Sequence, residues 1–143
     1  MMMKNLIFSA MLLFFAFGAM AQTAAVKTPA QEATEKMTQL YSLDQKQQAE
    51  MLKIQERKYR NLAEIASMKT SDPGLYVRKI QSIQTGNNAS FERILSTEQA
   101  KTLREQQLQL REKKAVAFKE MKATGASHYE IDLKMLELDL ESL

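Results

Sequence analysis

The chain has 143 residues, enough for one domain and too few for two comfortable ones. It contains no cysteine, which excludes disulfides, thiolate metal sites, cysteine nucleophiles and a lipoprotein anchor. A formal net charge of +3 is too modest to argue for nucleic-acid binding.

Residues 1–21 read as a secretory signal peptide. Lys4 supplies the basic start, Leu6 to Phe17 an apolar run, and Ala19-Met20-Ala21 the small residues before a cleavage site. A membrane-spanning helix needs about 20 apolar residues, so this run is too short for a permanent anchor. Cleavage after Ala21 removes 21 of the 143 residues and leaves 122. Export to a bacterial periplasm is the expectation. The aromatics that remain are Tyr41, Tyr59, Tyr76, Phe91, Phe118 and Tyr129. That lean supply suits thin helical layers, or a subunit that completes its core against a partner.

Residues 22–28 read as a disordered leader. Thr28, Pro29 and Gln31 then make an N-cap, an N1 proline and a capping box. They predict a short helix over 29–41. A long helix is predicted over 45–70. Asp72-Pro73 starts a third over 73–85, which Gly86 ends, and a short helical turn follows around 89–94. A second long helix is predicted over 97–123, with Gly125 just past its end. Ser127 and Glu130 form another capping box, opening a C-terminal helix over 128–141. The alternation Glu130-Ile131-Asp132-Leu133-Lys134-Met135 looks strand-like, but Leu, Glu, Lys and Met there favour helix. The fold class is therefore all-α: two long amphipathic helices with shorter ones between and after them. The domain plan is signal 1–21, leader 22–28, a helical domain over 29–126 and an acidic amphipathic helix over 127–143.

On a helical wheel, Met51, Ile54, Tyr59, Leu62 and Ile65 share one face of the first long helix. Lys46, Lys53, Arg57 and Arg60 share the other. On the second, Ala100, Leu103, Leu110, Ala117, Phe118 and Met121 form the apolar stripe. Arg104, Arg111 and Lys122 line up away from it, with Leu108 and Ala115 beside them. Lys58 and Lys114 interrupt the stripes. Their alkyl stems are expected to lie along the apolar face, with the ammonium groups reaching water.

The two long helices open alike. Leu43-Asp44-Gln45-Lys46-Gln47 precedes Met51, and Leu95-Ser96-Thr97-Glu98-Gln99 precedes Leu103. Asp44 and Ser96 are N-caps, Gln47 and Gln99 complete capping boxes, and Leu43 and Leu95 plug the core. This pattern resembles the LTxxQ-motif periplasmic proteins, the group that contains the Spy and CpxP stress proteins. Leu43, Asp44 and Gln47 match once, and Leu95, Ser96 and Gln99 match again. Both motif threonines are replaced by residues that can also cap. The resemblance covers roughly residues 37–123. It implies bent helical hairpins paired into a thin, cradle-like homodimer. It also implies non-enzymatic work: ATP-independent binding of unfolded proteins, or signalling through an envelope stress sensor.

Catalysis has little support in the residues. His128 is the only histidine, and no glycine-rich phosphate loop occurs. Zinc wants Cys or His clusters. Met37, Met51, Met68, Met121 and Met135 could serve copper(I), but their wide spacing favours packing. No catalytic residue, cofactor or metal ligand is assigned, and metal binding ranks last among the readings. The candidate client-binding residues are Lys46, Lys53, Arg57, Arg60, Arg104, Leu108, Arg111, Ala115 and Lys122. A basic surface with apolar gaps can attract acidic or unfolded chains and then hold their apolar segments. Residues 127–143 hold one basic and five acidic side chains, while the rest of the exported chain is basic. This tail is expected to dock on the basic helices, within a subunit or across a dimer, and to limit access to the binding face.

Overall fold

The computed structural model describes residues 26–142. The expected signal peptide and most of the leader lie outside the described residues. The described residues fold into helices alone: α1 (Pro29–Tyr41), α2 (Gln45–Ile65), α3 (Met68–Ser71), α4 (Pro73–Ile94), α5 (Thr97–Ala123) and α6 (His128–Glu141). No strand occurs among them. No helix among them is long and apolar enough to cross a membrane.

The caps act where the residue types place them. Thr28, Asp44, Ser96 and Ser127 each accept from the N3 amide, and each N3 side chain returns a bond to the cap amide. Asp72 caps α4 through the Leu75 amide at 2.9 Å. Each cap satisfies amides that a helix start leaves orphaned. At the other end of α5, Gly125 takes φ +78, a conformation that costs glycine least.

Two boundaries differ from the sequence expectation. The first long helix stops at Ile65, and α3 is a separate turn. The hydroxyls of Thr70 and Ser71 both bond back to the Ser67 carbonyl, which competes with regular helix there. Asp72, before Pro73, is forced out of the helical region. The second difference is Gly86, which ends nothing: α4 runs through it to Ile94 as one helix. Ile80, Gln84, Asn87 and Phe91 are the buried residues of α4 and lie on one helical face. Packing of that face against α2 overrides the weak helix preference of Gly86, Asn87 and Asn88.

α2 and α4 pack along each other, α1 covers α2, and α6 packs on both α4 and α5. The core falls into two apolar clusters. One holds Met37, Tyr41, Leu43, Met51, Ile54, Phe91 and Leu103, with the Tyr41 and Phe91 rings edge-to-face at 4.9 Å. The other holds Ile65, Ile80 and Leu136, with Leu62, Tyr76, Val77, Ile83 and Leu140 packed against them. Burying each large side chain contributes about 1.5–3 kcal/mol.

A polar belt separates the clusters. On α2 the order along the helix is Met51 and Ile54, then Gln55 and Lys58, then Leu62 and Ile65. On α4 it runs in reverse: Ile80 and Ile83, then Gln84 and Asn87, then Phe91. Gln55, Lys58, Gln84 and Asn87 are all buried.

Candidate functional site

The two matching pentapeptides meet in space. Gln47 Nε2 donates to Gln99 Oε1 at 2.7 Å, and Gln99 Nε2 donates back to Gln47 Oε1 at 3.0 Å. Gln47 Nε2 also donates to the Ile94 carbonyl at 2.7 Å, and Gln99 Nε2 to the Tyr41 carbonyl at 3.0 Å. Each amide therefore ties its own helix start to the end of the helix that leads into the other motif. Leu43 is buried in the first cluster, and Leu95 packs against it. This clasp joins α1–α2 to α4–α5. It organises the fold and presents no reactive group.

All nine candidate client-binding residues are exposed. They remain two sets on separate helices, because α2 and α5 are not a principal packed pair. On α2, Lys53 bonds Glu50 at 2.8 Å and holds that carboxyl below its ordinary range. Arg57 donates to Ser90 Oγ of α4 at 2.7 Å. On α5, the Lys122 ammonium lies 5.1 Å from the Phe118 ring centroid. Phe118, expected in the apolar stripe, is 41% exposed; it lines a surface pocket with Ile131 and Asp132 of α6 and joins neither core cluster. Leu108 is 57% and Val116 56% exposed, so the outer surface of α5 alternates cations with unpartnered apolar side chains.

Both stripe lysines engage α6, Lys58 from a fully buried position and Lys114 with 30% of its side chain still exposed. Lys58 is 2% exposed, and its Nζ lies 3.4 Å from the Leu140 carbonyl near the end of α6. Burial pushes its pKa down. Lys114 Nζ holds both oxygens of Asp139 at 2.8 Å. Gln84 Nε2 donates to the Asp139 carbonyl at 2.8 Å. The acidic tail thus docks within its own subunit. It seats on the belt and the second cluster, rather than on the exposed basic faces.

No family model, curated protein or solved structure matches this chain.

The belt was not visible as a unit in the sequence. Lys58 marked one of its members, but nothing in the helix pattern singled out Gln55, Gln84 and Asn87. Their signal was position: each falls on the buried face of its helix. A cavity adjoins the belt, lined by Tyr41, Gln84, Asn88, Leu110, Asp139 and Ser142 among others. Tyr41 Oη, Gln84 Oε1 and Asn88 Oδ1 are buried there with no hydrogen-bond partner among the described residues. No cluster of three or more His, Asp or Glu suited to a metal ion occurs among the described residues.

Proposed function

We propose that this is a non-enzymatic binding protein of the periplasm, LTxxQ-like, which holds unfolded or partner polypeptides without ATP. The observation that carries the reading is the outer face of α5. Arg104, Leu108, Arg111, Ala115 and Lys122 all stand exposed on one helix, and Arg111 makes no hydrogen bond or ion pair among the described residues. Long-range attraction to acidic segments, followed by contact with Leu108 and its neighbours, needs only such a surface. The paired motifs of Leu43–Gln47 and Leu95–Gln99 add support, since they do structural work together at one clasp.

The test is suppression of aggregation of an unrelated unfolding protein, without nucleotide, at low and high salt. Protection that weakens with salt is expected, because exposed charges are screened. The variant Arg104→Glu with Arg111→Glu should protect less while keeping its helix content. No protection at several-fold excess would end the chaperone reading and leave an adaptor for one envelope sensor, tested by pull-down from envelope extracts.

A further inference from the structure

Beyond Leu103, the long helix α5 does not pack closely on α2 or α4; α6 lies against both α5 and α4. We propose that the trough beneath α6 is a docking site for acidic amphipathic helices of other polypeptides, with α6 as its built-in occupant. This deepens the binding reading above by naming a class of client.

The seat reads features that many helices share. Leu136 and Leu140 supply the apolar contact from α6 to the second cluster. Asp139, between them, is held by Lys114. Lys58 and Gln84 meet the carbonyls of Leu140 and Asp139, which belong to the last turn and are orphans in any helix. Cations also suit the negative end of a helix. The trough therefore selects two apolar residues four apart, a carboxylate between them, and a helix end. A tail with five acidic and one basic side chain fits a floor that carries Lys58 and Lys114.

The built-in occupant is also replaceable. The first apolar cluster contains no α6 residue. The seat itself is imperfect. Asp139 and Ser142 wall the cavity in which Tyr41 Oη, Gln84 Oε1 and Asn88 Oδ1 find no partner among the described residues. Opening lets those atoms meet water, which offsets part of what release costs. The hinge is short: Thr124 to Ser127, with nothing within 4 Å of a Cβ placed on Gly125.

The experiment uses the full chain and a fluorescein-labelled peptide with the sequence of residues 127–143, read by anisotropy. In the wild-type chain α6 competes with the peptide and weakens its binding. Asp139→Lys repels Lys114 and loosens the resident helix, so this variant should bind the peptide about ten-fold tighter. The double variant Lys114→Asp with Asp139→Lys restores the resident pair and should return to wild-type behaviour. A peptide carrying the Asp139→Lys change should bind the Asp139→Lys chain about ten-fold more weakly than the unchanged peptide. Equal binding by the wild-type and Asp139→Lys chains would overturn the proposal, as would indifference to the peptide's own Asp139. So would a dimer formed by exchange of α6 between copies, seen by light scattering of the Asp139→Lys chain. Circular dichroism and the reverting double variant separate unfolding from release. Peptide binding without aggregation suppression removes the chaperone reading alone; suppression without peptide binding removes this one alone.

Discussion

The side-chain amides of Gln47 and Gln99, 52 residues apart in the chain, donate to each other at 2.7 and 3.0 Å. Each oxygen also accepts from its own cap residue's amide, at 3.0 Å for Asp44 and 2.8 Å for Ser96. One residue type thus does local and long-range work together. A lone capping contact is worth about 1 kcal/mol. Gln99→Ala also removes both bonds between the two amides and leaves the Tyr41 carbonyl without its donor, so the expected loss is larger, about 2–3 kcal/mol by urea denaturation. Gln47→Ala should behave alike. The double variant should fall short of the sum, because the two share one interaction. Strict additivity would show that the amides act only as separate caps.

The glycines give a paired test. Gly86 sits inside α4, and nothing lies within 4 Å of the Cβ it lacks. Gly86→Ala should stabilise the fold by about 0.5–1 kcal/mol, through helix propensity alone. Gly125 has the same open space but φ +78. Gly125→Ala should destabilise by about 1 kcal/mol, since a Cβ strains that conformation. Thermal melts of the two variants should move in opposite directions. A stabilised Gly125→Ala would mean the turn is free to choose another conformation.

These glycines also mark what was legible in the sequence. Helix starts were, because a cap and its N3 partner settle them within four residues. All four capping boxes, at Thr28, Asp44, Ser96 and Ser127, lie where the residue types put them. Helix ends depend on neighbours. Gly86 looked like a stop, yet Ile80, Gln84, Asn87 and Phe91 bury one face through it. Ile65 looked like mid-helix, yet just past it the Ala66 amide tightens onto the Ala63 carbonyl and the regular helix ends. The exposed basic residues were readable from the wheel. The belt was not, because burial of Gln55 and Gln84 depends on what packs opposite them. The fates of Lys58 and Lys114 were hidden for the same reason: their partners, Leu140 and Asp139, come from a helix much later in the chain.

The hydroxyl of Tyr41 is buried without a partner among the described residues, and burial raises its pKa above 10.0. Removing an orphaned buried group restores its desolvation cost. Tyr41→Phe keeps the ring against Phe91 and should stabilise by about 1 kcal/mol at neutral pH. The pH sign is distinct. The folded state disfavours phenolate, so this group's contribution is complete below pH 10 and is lost as pH rises above it. The advantage of the phenylalanine variant should therefore widen between pH 10 and 11. A variant less stable than wild type at pH 7 would show that the hydroxyl does have a partner in solution.

Lys58 provides the opposite slope. Burial lowers its pKa below 10.5, so the folded chain disfavours the ammonium. Between its folded value and 10.5 the unfolded chain binds more protons, and stability from this residue climbs with pH. Below that window the charge imposes a constant cost. Lys58→Met keeps the stem and removes the charge. Lys58→Met also takes a donor from the Leu140 carbonyl, so the quantity to read is the pH trend: the stability of wild type relative to this variant should rise as pH approaches 10.5, where wild type sheds the cost of its charge. Tyr41 titrates in both chains and cancels in the difference. Chemical denaturation of both proteins at pH 7, 9 and 10.5 gives the measurement. A difference that stays flat across that range would show Lys58 fully solvated, with α6 lifted from its seat in solution.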